Sequence, residues 1–152
     1  MHMRLILAAL LGFFLADLCF GQELNPPQQA TAGNPFSIPT SGSGSATFYL
    51  FGPGSVVKQD VHLGQAVDVR GEDVTTAGRY TVILCGDTCH SAHFFIAAAS
   101  PAALSFLAHP SRAMVKQSGS ISSVVFPFDK FQNLVLSPVT VNFKMTDRKS
   151  VV

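Results

Sequence analysis

The chain has 152 residues, a formal net charge of +1 and only 12% charged residues, roughly half of what is usual in soluble domains. Its length suffices for one ordinary domain or two small ones and excludes a complete (β/α)₈ barrel, which takes about 250 residues. A net charge so close to zero excludes electrostatic capture of nucleic acid or of an anionic membrane as the main activity.

Residues 1–21 have the pattern of a secretory signal peptide. Arg4 gives a basic start, an unbroken apolar run extends from Leu5 to Leu15, and Gly21 is a small residue at the expected cleavage position. A membrane anchor is the alternative, but a span needs about 20 apolar residues. Cys19 also suggests a lipoprotein signal, although Leu18 stands where that signal has a small residue. We expect cleavage after Gly21, no membrane insertion, and a product that is extracellular, at the cell surface or periplasmic.

After the signal, short β-type runs succeed one another with turn residues between them. Residues 22–45 are predicted to form a flexible lead, rich in Pro and Gln, together with a first strand. Helical periodicity is absent outside the signal peptide. Many short strands at this spacing predict an all-β fold built as an antiparallel sandwich or barrel. The predicted runs are Ala46–Phe51, Val56–Leu63, Ala66–Arg70, Arg79–Cys85, Ala92–Ala98, Leu104–Ala108, Ser120–Phe128 and Val139–Met145.

A change in composition at residues 100–103 predicts a linker between two β units. The first unit covers residues 24–99, and the second covers residues 104–146. An immunoglobulin-type sandwich needs about seven strands and roughly 100 residues, so we expect the second unit to be partial. Residues 147–152 change character abruptly and look like a translated sequencing adapter. This predicts a non-native tail on a C-terminally truncated fragment.

Two segments resemble a known family. Ala77-Gly78-Arg79-Tyr80-Thr81-Val82 resembles the E–F corner of immunoglobulin-like domains, in which a Tyr hydroxyl bonds back to the backbone. Residues 124–135, together with residues 138–143, resemble the bacterial Ig-like repeat of invasin and intimin type. The resemblance implies an Ig-like antiparallel β-sandwich with Tyr80 as a structural corner residue. It also implies a non-catalytic surface module that acts as a structural, spacer or adhesion element.

Two cysteines, Cys85 and Cys89, flank a three-residue hairpin loop, Gly86-Asp87-Thr88. Cysteines that face each other across a strand pair in an exported protein favour a disulfide. Together with His90 and His93 they also form a cluster of zinc-type ligands. In a strand, however, residues three apart point to opposite faces, and oxidised cysteines are not thiolate ligands. We therefore predict a structural disulfide, with no metal and no other cofactor.

Asp129 and Asn133 offer oxygen ligands for calcium. A calcium site takes six to eight oxygens, and only these two oxygen side chains lie in the local segment, where turn formation explains both. Enzyme signatures such as Gly-x-Ser-x-Gly, His-Glu-x-x-His and the Walker loop are missing from the sequence. We therefore predict that the chain is not an enzyme.

The expected mechanism is surface complementarity with a surface protein or a carbohydrate as the partner. Phe94, Phe95, Phe126 and Phe128 are interpreted as core residues and not as a stacking platform. The alternative function is a carbohydrate-binding or accessory module of a secreted hydrolase, which an exposed row of aromatic side chains on one sheet face would favour. A small metal-binding domain is the third hypothesis, and converging Cys and His side chains would support it.

Overall fold

The computed structural model describes residues 23–110, 114 and 118–144. The predicted signal peptide with its cleavage position and the predicted tail lie outside these residues. No helix in this described part is long and apolar enough to cross a membrane. Nine strands and one 3₁₀ turn, with no α-helix, make up the regular structure of the described ranges, so the all-β prediction is confirmed. The strands are β1 (Gln29–Thr31), β2 (Phe36–Ile38), β3 (Ser45–Phe51), β4 (Val56–His62), β5 (Val67–Val69), β6 (Gly78–Cys85), β7 (Cys89–Ala97), β8 (Ala103–His109) and β9 (Ser122–Phe128).

Five strands form the main sheet, in the order β1-β7-β6-β3-β4. β3 pairs antiparallel with β4 and β6, and β6 pairs antiparallel with β7. β1, in contrast, pairs parallel with β7 in the register Gln29↔Phe95, which corrects the expectation of a wholly antiparallel arrangement. A short hairpin forces consecutive strands to run antiparallel, but β1 and β7 are far apart in sequence and carry no such constraint.

The core lies between the main sheet and a second, two-stranded sheet formed by β2 and β5. Side chains alternate between core and solvent along β3 and β6, as strands with one buried face require. The Phe36 ring of β2 meets the Phe94 ring of β7 edge-on, with centroids 5.5 Å apart. The arrangement is sandwich-like only in part, because the second layer holds just two three-residue strands. The core side chains include Phe48, Leu50, Tyr80, Val82 and Leu84 from the main sheet and Ile38, Val67 and Val69 from the second.

The predicted strands and the observed strands agree over the middle of the chain, where each run from residue 46 to residue 128 overlaps one of β3 to β9. The run Val139–Met145 does not form a strand over residues 139–144. Alternating apolar and polar residues indicate two different faces, but a strand also needs a neighbouring strand to which it can hydrogen-bond. Residues 22–45, predicted to hold one strand, contain two, β1 and β2. Three-residue strands are too short to show an alternating pattern in the sequence.

β8 and β9 form a separate antiparallel hairpin, paired from Ala103↔Phe128 to His109↔Ser122. Phe126 of this hairpin is 42% exposed, and Phe95 of β7 is 56% exposed. The interpretation of these two residues as core is therefore wrong, although Phe94 is buried as predicted. Phe94 and Phe95 are adjacent on one strand and so point to opposite faces of the sheet.

Candidate functional site

A disulfide joins Cys85 and Cys89, as predicted. The two residues are register partners where the β6–β7 ladder ends, and their Cα atoms are 4.1 Å apart. Across the loop, the Gly86 amide donates to the Thr88 carbonyl at 3.1 Å. Because each sulfur is bonded to the other, neither is available as a thiolate ligand.

The histidines of the alternative zinc set have local partners of their own. His93 Nδ1 lies 2.9 Å from Thr81 Oγ1 across the sheet, and His90 Nε2 lies 2.9 Å from Thr88 Oγ1 in the hairpin loop. In the part of the chain that the structure describes, no group of three or more His, Cys, Asp or Glu side chains converges on one point. The structure therefore does not bring the Cys and His residues together.

Tyr80 is buried at the start of β6 and ties the preceding turn to the core. Its hydroxyl donates to the Thr76 carbonyl at 3.0 Å, and its ring stacks on Phe94 with centroids 5.6 Å apart. Burial raises the pKa of the Tyr80 phenol, because desolvation disfavours the phenolate. A Cβ added at Gly52 would overlap the ring. The backbone can therefore pass so close to the Tyr80 ring only because residue 52 is a glycine.

Asp129 is the one ionisable carboxyl among the fully buried side chains of the described ranges, and it lies directly after β9. Oδ1 accepts hydrogen bonds from the amides of Phe131 at 2.8 Å and Asn133 at 2.9 Å. Oδ2 accepts from the Ala99 amide at 2.9 Å and from Asn133 Nδ2 at 2.8 Å. Four donors therefore match the roughly four lone-pair sites of a carboxylate.

Asn133 extends this network to the loop before β6. Its Nδ2 also donates to the Thr75 carbonyl at 2.8 Å, and its Oδ1 accepts from the Ala77 amide at 2.8 Å. Nearby, the Phe131 ring covers Gly33, where an added Cβ would overlap it. We call the set Asp129, Asn133, Thr75, Ala77 and Ala99 the junction, because it joins the segment after β9 to the loop before β6 and to the chain leaving β7.

The Asp129 carboxylate stays ionised although it is buried. Desolvation alone would raise the pKa of Asp129, but the hydrogen bonds from Asn133, Ala99 and Phe131 outweigh it and hold the pKa below its ordinary value. The oxygens that calcium would use thus point at N–H groups, and a cation would have to displace those donors. Sequence reasoning weighed both residues as calcium ligands, assigned them to turn formation and did not predict their shared hydrogen-bond network. The Asp-x-x-x-Asn spacing directly after a strand is the sequence pattern that could have indicated a hydrogen-bonded pair of these two side chains.

Exposed aromatic side chains lie on the outer face of the main sheet, opposite the core. The Tyr49 and Phe51 rings on β3 are nearly parallel, with an interplanar angle of 18° and centroids 6.2 Å apart. Lys58 Nζ of β4 lies 5.9 Å from the centroid of the Tyr49 ring. Phe95 is exposed further across the same face. Sequence reasoning missed this surface, because alternation shows which residues share a face but does not show which face is buried.

Comparison with known proteins adds no assignment to these sites. No known protein family matches the chain, and no curated protein matches it. The role of the chain is therefore inferred from the junction and from the outer face.

Proposed function

We propose that this chain is a non-catalytic, exported β-module that serves as a structural, spacer or adhesion element at a cell surface. The junction is the observation that carries this proposal. A spacer has to hold its two ends in a set relative direction, and Asn133 binds Asp129 in one β unit and Thr75 and Ala77 in the other. A buried carboxylate whose donors come from both units resists bending more than a flexible linker does.

Within this proposal, the module is related to the bacterial Ig-like repeats of invasin and intimin type. The two-layer packing around one core supports this relationship. The Tyr80 hydroxyl also supports it, because it donates to a backbone carbonyl four residues upstream, which is the defining contact of the tyrosine corner. Export is supported by the Cys85–Cys89 disulfide, because such bonds persist in oxidising compartments.

The spacer role is tested by measuring whether the two β units tumble together. Amide ¹⁵N relaxation of β3–β7 and of β8–β9 is expected to give one common rotational correlation time. Asn133→Ala removes the bonds to Thr75 and Ala77 and is expected to separate the two values. Asn142→Ala, at an exposed position, is the matched control and is expected to leave them equal. Different correlation times in the unmodified chain would contradict the spacer proposal.

Export is tested separately, by expressing the full chain in a bacterium that secretes proteins. Mass spectrometry of the product in the periplasm or medium is expected to show an N-terminus at Gln22. A product that stays in the cytoplasm with residues 1–21 attached would contradict export.

A carbohydrate-binding or accessory module of a secreted hydrolase is the second candidate function. The aromatic side chains on the outer face favour it: Tyr49 and Phe51 stack on each other along β3, and Phe95 is exposed on β7 of the same face. The two candidates are compatible, because the junction and the outer face involve different residues.

A further inference from the structure

We infer that the outer face of the main sheet binds a neutral oligosaccharide, with Tyr49 and Phe51 as the stacking platform and Asp60 as a hydrogen-bonding group. This inference rests on the adhesion part of the proposed function and names its ligand class. Two neighbouring features of the face carry it, an aromatic strip and a polar hollow.

The aromatic strip is set by the register of β3 with its two neighbours. Tyr49 lies between Lys58 and Ile83, and Phe51 lies between Val56 and Thr81. Phe51 is 39% exposed and Val56 is 68% exposed, so the strip is open to solvent. A pyranose ring presents apolar C–H groups on its faces, and these stack on the electron-rich face of an aromatic ring. The Tyr49 and Phe51 rings stack on each other, so one sugar ring can pack against the solvent-facing side of this pair.

The polar hollow begins two residues before Tyr49 on β3. There Thr47 pairs with Asp60 on one side and with Cys85 on the other. The hollow is a shallow, open depression of about 310 Å³ whose lining includes the polar residues Ser45, Thr47, Asp60 and Asp87. Thr47 Oγ1 donates to Asp60 Oδ1 at 3.1 Å at the exposed surface. Hydroxyls and carboxylates beside an apolar surface are the groups that orient a small polar ligand. The hydroxyls around the edge of a sugar ring would meet these groups while its face lies on Tyr49.

The size and charge of this surface favour an oligosaccharide over a protein or a lipid surface. One partner in a stable protein complex buries about 800 Å², whereas a whole aromatic side chain buries about 150–250 Å². Tyr49 is half-buried and Phe51 is 39% exposed, so the two rings together offer far less area than such a complex buries. A lipid surface is recognised by clustered cations, but here Lys58 stands next to Asp60 on the same face of β4.

Binding is tested on the full chain with three neutral probes: cellohexaose, chitohexaose and mannohexaose. Isothermal titration calorimetry and amide chemical shifts are the measurements. We expect at least one hexasaccharide to bind and to shift amides of β3 and β4. Tyr49→Ala is expected to weaken this binding about tenfold or more, and Asp60→Asn severalfold. Phe106→Ala, which removes an exposed aromatic ring from β8, is the matched control and is expected to leave the affinity unchanged.

Three results would overturn the inference. One is no binding of any probe at millimolar concentration, and another is unchanged affinity in Tyr49→Ala. The third is a concentration-dependent dimer that Tyr49→Ala abolishes, which would make the face a contact between copies of the chain. Tyr49→Phe keeps the ring and is expected to retain binding, which separates lost stacking from misfolding. The common tumbling of the two β units is a separate measurement, so failure of the sugar site and failure of the spacer role are distinguishable.

Discussion

Asn133 donates a hydrogen bond from its side-chain amide to Asp129 Oδ2 at 2.8 Å, and the same nitrogen donates to the Thr75 carbonyl at 2.8 Å. Both hydrogens of the amide are therefore used, one for the segment after β9 and one for the loop before β6. The Ala77 amide donates to Asn133 Oδ1, and this bond sets the orientation of the side chain. A turn residue thus becomes a cross-link between parts of the chain 56 and 58 residues apart in sequence.

Asp129→Asn is expected to destabilise the chain by about 2 kcal/mol or more. In either orientation the new amide group would turn its own donor towards two N–H donors, which are the Ala99 amide and Asn133 Nδ2 at one oxygen position and the Phe131 and Asn133 amides at the other. This leaves buried donors without acceptors. Urea unfolding followed by circular dichroism measures the loss. Asp87→Asn in the exposed hairpin loop is the matched control, and we expect it to stay within about 0.5 kcal/mol of the unmodified chain. Equal stability of the two variants would show that the hydrogen bonds of the junction do not contribute to the free energy of unfolding.

The stability of the chain is expected to fall in acid because of Asp129. The pKa of its carboxyl is lower in the folded chain than in the unfolded chain, so the unfolded state binds the proton more tightly. The stabilisation is present above the unfolded pKa of about 3.9 and is lost as the pH falls through the folded pKa. Urea midpoints between neutral pH and strongly acidic pH measure this. The difference in urea midpoint between the unmodified chain and Asp129→Asn is expected to become smaller in acid. A difference that grows in acid would mean that the pKa of Asp129 is raised in the folded chain.

Tyr80→Phe is expected to cost about 1–3 kcal/mol. The change removes the hydroxyl and leaves the Thr76 carbonyl without its hydrogen bond. Tyr49→Phe is the control in the other tyrosine of the chain, and we expect a change of about 0.5 kcal/mol or less because Tyr49 lies on the outer face. Thermal or urea unfolding of both variants gives the comparison. Equal losses would indicate that the bond to Thr76 does not stabilise the turn.

Replacing both Cys85 and Cys89 by Ser is expected to cost about 2 kcal/mol, because a five-residue loop closed by a disulfide removes little entropy from the unfolded chain. The hairpin ladder remains to hold β6 and β7 together. Urea unfolding of the double variant measures the loss. Reduction of the unmodified protein is expected to add about 2 Da to its mass, and an unchanged mass would contradict the disulfide.

The all-β class and the position of most strands could be predicted from the sequence because both depend on local patterns. Alternation along Gly78–Cys85 and turn residues around Gly86 specify a strand and a hairpin whatever lies beside them. The Cys85–Cys89 pair is a consequence of the same hairpin, since the loop length sets which residues face each other. The sequence alone therefore determined the β6–β7 hairpin and its disulfide.

Tertiary structure decided the features that depend on partners distant in sequence. The parallel pairing of β1 needs the free edge of β7, and the absence of a strand at residues 139–144 reflects the lack of a partner strand there. The exposure of Phe95 and the burial of Asp129 likewise depend on which surfaces are covered. A strand pattern states that two faces differ, but only packing against a second layer determines which face leaves water. For that reason the junction and the outer aromatic face are visible only in the folded chain.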